Sequence, residues 1–432
     1  MSLLAAVRKV CVAQGLDRTY WIAYSGGVDS HVLLHLCHCL RDTLAISFRA
    51  IHVNHGLHPL AAEWALHARQ ICTELAMPLE QHALQLSLRS GESLEALARE
   101  QRYAVFARRM AVGDVLFTAH HQDDQAETLL LQLCRGAGPK GLSAMPRIKP
   151  FASGDHARPL LLFSQAALSC YAREKRLHWV DDTSNANVAH ARNFIRHHVL
   201  PLLASRWPAI VPTIARSASF CAEAQGLLEA NISCAALKGS RADSLSVVKL
   251  LQLPSDQRRL ALRTWIQSLA FPLPSAKKLQ TIDACVLRAR NDKMPCVAWS
   301  GAVVRRYRDD LCLLWMRAPV MPLAPLVWDM KAPLVLSGQG VLKATRTMGS
   351  GLSASLAEVC IRFRKGGEWV EVPGVGRATF NKRCQQWGVP PWERDGVPLV
   401  YVGDRLVSVV GYFMDRAYEA KTGEAGLTLE WQ

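Results

Sequence analysis

The chain holds 13 cysteines but no Cys-x-x-Cys pair. An odd, scattered set of thiols without paired spacing argues against a secreted disulfide framework and for reduced thiols in a cytosol. Cys37-His38-Cys39, with His35 nearby, is the one cluster that invites a metal reading. It lies within the apolar run Val32-Leu33-Leu34-His35-Leu36-Cys37, which reads as a buried helix, so packing is the expected role. No run of about 18 uncharged apolar residues is present, which excludes a helical membrane span. The start, Met1 to Arg8, has no charged region ahead of a long apolar stretch, so no secretory signal is expected and a cytoplasmic location follows. The Walker pattern G-x-x-x-x-G-K-[ST] is absent. No internal repeat is found. Acids are outnumbered, 36 against 51 bases, for a formal net charge of +15. That excess fits a polyanionic partner such as nucleic acid, or a basic surface kept for solubility. With 50% hydrophobic and 20% charged residues, the 432-residue chain reads as folded, with two to four domains.

What is present begins with alternation. Tyr20 to Tyr24 is a short strand-like run ending at glycines, and a helix-like stretch follows from about Ser30 to Leu40. Ala45 to Val53, Leu79 to Leu84 and Val115 to Ala119 read as further strands. Ala61 to Leu75, Ser93 to Met110 and Ala126 to Cys134 have helical period. Strands alternating with helices predict an α/β fold with a parallel sheet covered on both faces. Such sheets bind ligands at the carboxyl ends of their strands, where this chain concentrates its unusual polar residues. From about Leu160 to Trp207 the chain is helical and basic, and a more helical region runs from about Ser217 to Leu269. The proline-rich stretch Ala318 to Pro325 reads as a linker. The tail is richer in Gly and Val and reads as a small mixed α/β domain. The expected divisions are 1–217, 218–317 and 318–432.

The sharpest signal is Ser25-Gly26-Gly27-Val28-Asp29-Ser30, placed between a strand and a helix. Two glycines let a backbone approach an anion closely. The helix N-terminus behind them offers free N–H groups and partial positive charge. The hydroxyls of Ser25 and Ser30 are further candidate donors. Asp29 would repel phosphate unless a cation bridged them, so Mg²⁺ is implied. The bland alternative is a tight turn with a Ser/Asp helix cap.

These six residues match the SGGxDS signature of the PP-loop ATP pyrophosphatases, which split ATP into AMP and pyrophosphate. Further motifs resemble the tRNA(Ile)-lysidine synthetase branch. They are Ile51-His52-Val53-Asn54-His55-Gly56-Leu57; Glu95-Ala96-Leu97-Ala98-Arg99 with Arg102-Tyr103; Ala119-His120-His121-Gln122-Asp123-Asp124-Gln125-Ala126-Glu127-Thr128; and Arg135-Gly136-Ala137-Gly138. Arg158-Pro159-Leu160-Leu161, and Ser184-Asn185 with Arg192-Asn193 and Arg196, continue the match. In the tail, Arg362-Phe363-Arg364-Lys365-Gly366-Gly367-Glu368 and Val389 to Asp395 resemble that branch's R-x-R-x-G-G-E and VPPWxRD elements. One departure stands out: Asn187 occupies a position where that family often carries Asp, with Asp181 and Asp182 the nearest acids in sequence.

The resemblance implies a PP-loop (adenine nucleotide alpha hydrolase-like) domain, a mainly helical middle domain and a small mixed α/β tail. It implies a carbon–nitrogen ligase using ATP, Mg²⁺, free L-lysine and the isoleucine tRNA with a CAU anticodon. By that resemblance, ATP would adenylate the C2 oxygen of the wobble cytidine. The lysine ε-amine would then displace AMP, and decoding would change from AUG to AUA. Because that amine titrates near 10.4, only about one in 10³ is free at neutral pH, so an acceptor for its proton is needed. Asp123, Asp124 and Glu127 are candidates for lysine or Mg²⁺ contact, and Asp29 for the metal. The bland reading of the three acids is a solvated helix N-terminus. His52 and His55 are nucleotide candidates. Arg135 is a candidate for phosphate or the lysine carboxylate, and Arg192 and Arg196 for the α-phosphate or RNA backbone. Arg258, Arg259, Arg305, Arg306, Arg364, Lys365, Lys382 and Arg383 are candidate tRNA contacts. Two other readings stay open: a PP-loop tRNA thiolase, against which the missing Cys-x-x-Cys and the expected packing role of Cys134 weigh, and a non-catalytic tRNA-binding module. Oligomeric state, monomer or homodimer, is left open.

Overall fold

The computed structural model describes residues 1–56, 58–84, 94–181, 187–230, 234–290, 293–316, 324–336, 340–372 and 375–431, the side chains of 94–96 excepted. Among them are two compact units, Met1–Asn231 and Ile232–Gln432. Leu57, Asp182, Ser184, Asn185, the side chain of Glu95 and most of the expected proline-rich linker lie outside the described residues.

In the first unit, α1 (Leu3–Gln14), for which no helix was expected, precedes β1 (Thr19–Ala23), α2 (Val28–Leu44), β2 (Ser47–Asn54), α3 (Ala61–Glu74), β3 (Leu79–Ala83), α4 (Leu94–Arg109) and β4 (Val115–Phe117), which alternate as their sequence periods predict. A hairpin of β5 (Ile148–Phe151) and β6 (Gly154–Ala157), which the reading of alternation passed over, completes a six-stranded sheet in the order β3-β2-β1-β4-β6-β5. All neighbours are parallel except β5 with β6. Strand β1 is buried on both faces, as the central strand of a parallel sheet must be. Tyr20 and Ile22 join a core with Val32, Leu33 and Leu36 of α2, and with Leu168 and Ala172 of α7 (Gln165–Glu174). Trp21, one residue out of phase, packs on the opposite face with Phe106 and Met110.

The chain moves from β1 to β2 and β3 on one side and then crosses to β4 on the other. The order therefore reverses between β1 and β4, and the crevice at their carboxyl ends is where an open α/β sheet binds ligand. Helix α2 starts after β1, and α5 (Gln122–Cys134) starts after β4. Beyond α5 come α6 (Pro139–Leu142), α8 (Ala191–Phe194), a π turn at Ile195–Val199, α9 (Leu200–Arg206) and α10 (Ile210–Ala230). Helix α10 runs through the expected 217/218 division. Its Ile214 and Ala218 pack with Ala126 and Leu129 of α5, so it is anchored to the first unit.

The second unit opens with β7 (Leu245–Ser246), α11 (Val247–Gln252), α12 (Ser255–Ser268) and α13 (Ala276–Thr281). These helices pack on an antiparallel sheet in the order β7-β10-β9-β8, formed with β8 (Cys296–Trp299), β9 (Ala302–Tyr307) and β10 (Asp310–Trp315). Leu250, Leu262, Trp265, Val304 and Leu311 share its core. The tail is built on a five-stranded and a four-stranded sheet, with short helices at Phe380–Trp387 and Pro391–Arg394. Arg241 binds both carboxylate oxygens of Glu393 at 2.7 and 2.6 Å, tying the middle region to the VPPWxRD element.

Candidate active site

The loop after β1 is laced by its own hydroxyls. Ser30 Oγ accepts from the Ser25 backbone N–H at 3.2 Å and donates to the Gly27 carbonyl at 2.9 Å. With that proton committed, Ser25 Oγ is the donor in its 3.0 Å contact with Ser30 Oγ. Both hydroxyls therefore shape the loop. The anion donors left are backbone: the first-turn N–H groups of Val28, Asp29 and Ser30 have no intrahelical acceptor, because α2 begins there. The Gly26 carbonyl accepts from Val180 N at 3.0 Å, which fixes the loop from outside. His52, buried at the end of β2, contributes through the same loop: its Nδ1 donates to the Tyr24 carbonyl at 2.9 Å. That contact makes His52 a brace under the phosphate loop. His55 lies half-buried in the turn after β2, beyond Asn54, whose side chain binds Ala61 O and Gly56 N.

The second element enters from β4. His121, at the mouth of α5, is buried and surrounded by three carboxylates: Asp29 at 3.6 Å, Asp123 at 3.5 Å and Asp124 at 3.5 Å. Burial pulls its pKa down, but Asp123 and Asp29, with the field of Asp124, override that and push it up to about 10. An imidazolium thus joins the two loops across the crevice. It was part of a quoted motif, yet sequence reasoning did not single it out. The alternative of a solvated acidic helix start is corrected, since Asp124 and Glu127 are buried. Glu127 Oε2 accepts from Arg192 Nε at 2.6 Å, and Oε1 from Arg196 Nε at 2.5 Å. Asp124 Oδ1 accepts from Arg192 Nη2 at 2.8 Å and Arg196 Nη2 at 3.3 Å. The two arginines, four residues apart, clamp two acids three residues apart. Asp124 is held below its usual pKa: burial opposes ionisation, and His121 and Arg192 outweigh it.

Asp123 differs from its neighbours. Its Oδ2 accepts from Gln165 N at 2.8 Å and faces His121, and no arginine pairs with it among the described residues. Burial would raise its pKa, but the contacts with His121 and Gln165 hold it low, so it is ionised. Asp29 keeps a buried Oδ1 with no hydrogen-bond partner among the described residues. An orphaned hard oxygen beside free helix N–H groups fits one ligand position of Mg²⁺, an ion that takes one or two carboxylates and completes its shell with phosphate and water. No group of three His, Cys, Asp or Glu suited to a metal exists among the described residues, so these residues alone build no full cage.

Three family descriptions match along the chain: "PP-loop domain" over residues 5–203, "TilS substrate binding domain" over 245–312 and "TilS substrate C-terminal domain" over 359–431. A tRNA(Ile)-lysidine synthase from Coxiella burnetii is 41% identical over 421 residues, 96% of this chain and 94% of that protein. One from Methylococcus capsulatus is 40% identical over 400 residues, covering 91% of each. The chain belongs to the tRNA(Ile)-lysidine synthase family. Among solved structures, the U34-tRNA thiolase NcsA from Methanococcus maripaludis, described with a [4Fe-4S] cluster, is 17% identical with a TM-score of 0.44, covering 51% of this chain and 78% of that one. That likeness is too distant to carry an argument.

Other expected contacts of this lysidine synthase-family chain fall elsewhere. Arg135 is exposed at the far end of α5, about 18 Å along the axis from Asp123, so the structure does not bring it to the carboxylates. Cys134 beside it is exposed and not packed. Cys37 is buried, as the packing reading expects. In the second unit, Arg364 Nη1 binds Asp395 at 2.7 Å, and the backbone of Lys365 and of Gly366 caps Glu368 Oε1 at 2.5 and 2.9 Å, leaving the Lys365 side chain exposed. Arg258 is a correction: it is buried and bridges to Asp283 at 2.8 Å. So is Arg383, buried against Gln386 and the Gly376 carbonyl. Arg306 donates to the Leu287 and Ala289 carbonyls at 2.7 and 2.8 Å. A charge placed in such contacts serves the fold before it serves RNA.

Proposed function

We propose that this chain adenylates the C2 oxygen of the wobble cytidine in a CAU-anticodon isoleucine tRNA and joins the base to free lysine. In the first step the cytidine O2 attacks the α-phosphorus of ATP, and the bond to the β-phosphate oxygen breaks, releasing pyrophosphate. In the second, the lysine ε-amine attacks C2, the C2–O bond breaks and AMP leaves, with the amine's extra proton passing to a base or water. The observation that carries this reading is the junction of Asp29 with His121, which sets the phosphate loop beside the carboxylates of α5 at the point where strand order reverses.

The roles divide by what each side chain already holds. The N–H groups of Val28, Asp29 and Ser30, behind Gly26 and Gly27, face the triphosphate. Asp29 would hold Mg²⁺, which when bound offsets the charge of the phosphates. Asp124 and Glu127 are neutralised by Arg192 and Arg196, so they and the arginines form the rigid floor of the site. Asp123, ionised and free of arginine, is the best-placed carboxylate to hold the lysine ammonium. Its low pKa makes it a weak base, so it orients the amine rather than activating it. Exposed basic side chains of the second unit, Lys365 among them, take tRNA phosphates, which set affinity and register. No described helix is long and apolar enough to cross a membrane, and a tRNA partner places the reaction in the cytoplasm. The test is pyrophosphate release by the purified chain with ATP, lysine and total tRNA. Release should require the tRNA, and labelled lysine should enter it. Release of pyrophosphate without transfer of lysine would refute the ligase reading.

A further inference from the structure

Next to the carboxylates lies a second polar network that the roles above do not use. Thr118 follows β4 directly, and its Oγ1 lies 2.7 Å from His120 Nδ1 and 2.8 Å from His156 Nε2. His156 sits on β6, fully buried beside Tyr103 and Phe151. Its other nitrogen, Nδ1, is 3.3 Å from Arg158 Nη2. Arg158 is itself buried, with Nη1 on the Pro146 carbonyl at 2.7 Å.

The proton positions in this chain follow from one fixed donor. A guanidinium can only donate. His156 Nδ1 must therefore accept, and in a neutral ring its proton is on Nε2. His156 Nε2–H then donates to Thr118 Oγ1. The hydroxyl's one proton has a single acceptor among these contacts, His120 Nδ1. His120 accepts there, so its own proton is on Nε2. Both rings are kept neutral. Burial, then Arg158, pushes His156 down to about 2, and burial pushes His120 down to about 3 against the pull of Asp124. Among the described residues no partner for His120 Nε2 is found, and the ring stands within electrostatic reach of Asp124 and Arg192.

We propose that Arg158, His156 and Thr118 are positioning residues that lock His120 as a neutral Nε2–H donor, and that this N–H binds an acceptor atom of the substrate beside the α5 carboxylates. Neutral imidazole suits the place. His121 already brings one positive charge to Asp123. A second imidazolium would compete further with the lysine ammonium for that carboxylate, and a bare Nε2 would repel a base oxygen or phosphate. The donor role rests on the ligase reading; the tautomer does not.

The test therefore has two arms. The full chain is labelled with ¹⁵N-histidine, and ring signals are assigned with His120→Gln and His156→Gln. Both rings should be neutral with Nε2 protonated at pH 7. A protonated His120 Nδ1, or an imidazolium at either site, overturns the relay, whatever the activity. In the second arm, Thr118→Val should let His120 sample both tautomers and lower kcat for lysine transfer by about tenfold to a hundredfold, with KM for ATP unchanged. Thr118→Ser, which keeps the hydroxyl, should restore kcat to within about twofold of native. His120→Leu should lose the step and His120→Gln, which keeps an N–H near Nε2, should retain part of it. Equal kcat in native, Thr118→Val and His120→Leu proteins overturns the donor role even if the tautomers are as stated.

Discussion

Gly26 and Gly27 stand side by side but are glycine for different reasons. Gly26 has φ +92°, a region where a side chain is strained. Gly27 has an ordinary φ of −74°, and a Cβ there would touch only Ser25 Oγ at 3.7 Å and Val180 O at 3.9 Å. The protein itself does not need a glycine at 27, whereas a phosphate pressed against the backbone would. Gly27→Ala should therefore melt within a few degrees of native but lose the stabilisation that ATP confers on the native chain. Equal stabilisation by ATP would mean that phosphate does not sit against this residue. Asp29→Ala should abolish tRNA-dependent ATP–pyrophosphate exchange, and near-normal exchange would remove the metal role from Asp29. Acidity probes the buried rings. His120 and His156 stay neutral in the fold to about 3 and 2, while in the unfolded chain they take up protons below about 6.5. The unfolded state thus binds more protons from pH 6.5 downward. Each ring then removes about 1.4 kcal/mol of stability per pH unit. Urea midpoints should fall between pH 6.5 and 5, and fall less for His156→Gln; equal slopes would show that His156 is not held neutral.

Arg192 and Arg196 work as an element because four residues of helical chain set both on one face, opposite Asp124 and Glu127 of α5. Glu127 is wholly buried between them. Removing it leaves two guanidiniums short of a partner, and Glu127→Ala should cost about 3–5 kcal/mol in chemical denaturation. Asp123→Asn removes no arginine partner, so stability should stay within about 1 kcal/mol while KM for lysine rises; the reverse pattern would exchange the roles of the two acids. The strand–loop–helix order was legible because buried strands and amphipathic helices differ in period. The arginine clamp was not, since Arg192 and Glu127 meet only through folding. Arg258 was legible in principle: it shares the inward stripe of Ala261, Leu262 and Trp265 on α12. Charge masked that spacing, and the residue read as an RNA contact. The β5–β6 hairpin escaped because four-residue strands carry too little pattern to stand out.

Across the whole chain, a net charge of +15 has to be reconciled with a reaction that we propose for one crevice of the first unit. With Arg258 and Arg383 committed to the fold, the surplus rests on exposed bases such as Lys365 and Lys382. tRNA affinity should drop roughly tenfold or more between 50 and 200 mM salt, because each neutralised phosphate releases counterions. A flat salt response would mean that charge does not drive binding. The chemistry itself is tested most directly by incubating the purified chain with ATP, labelled lysine and the CAU-anticodon isoleucine tRNA, and digesting the RNA to nucleosides. One AMP and one pyrophosphate should form for each labelled nucleoside, with the label on the wobble cytidine. ATP left intact, or cleaved with no label in the RNA, would contradict the account.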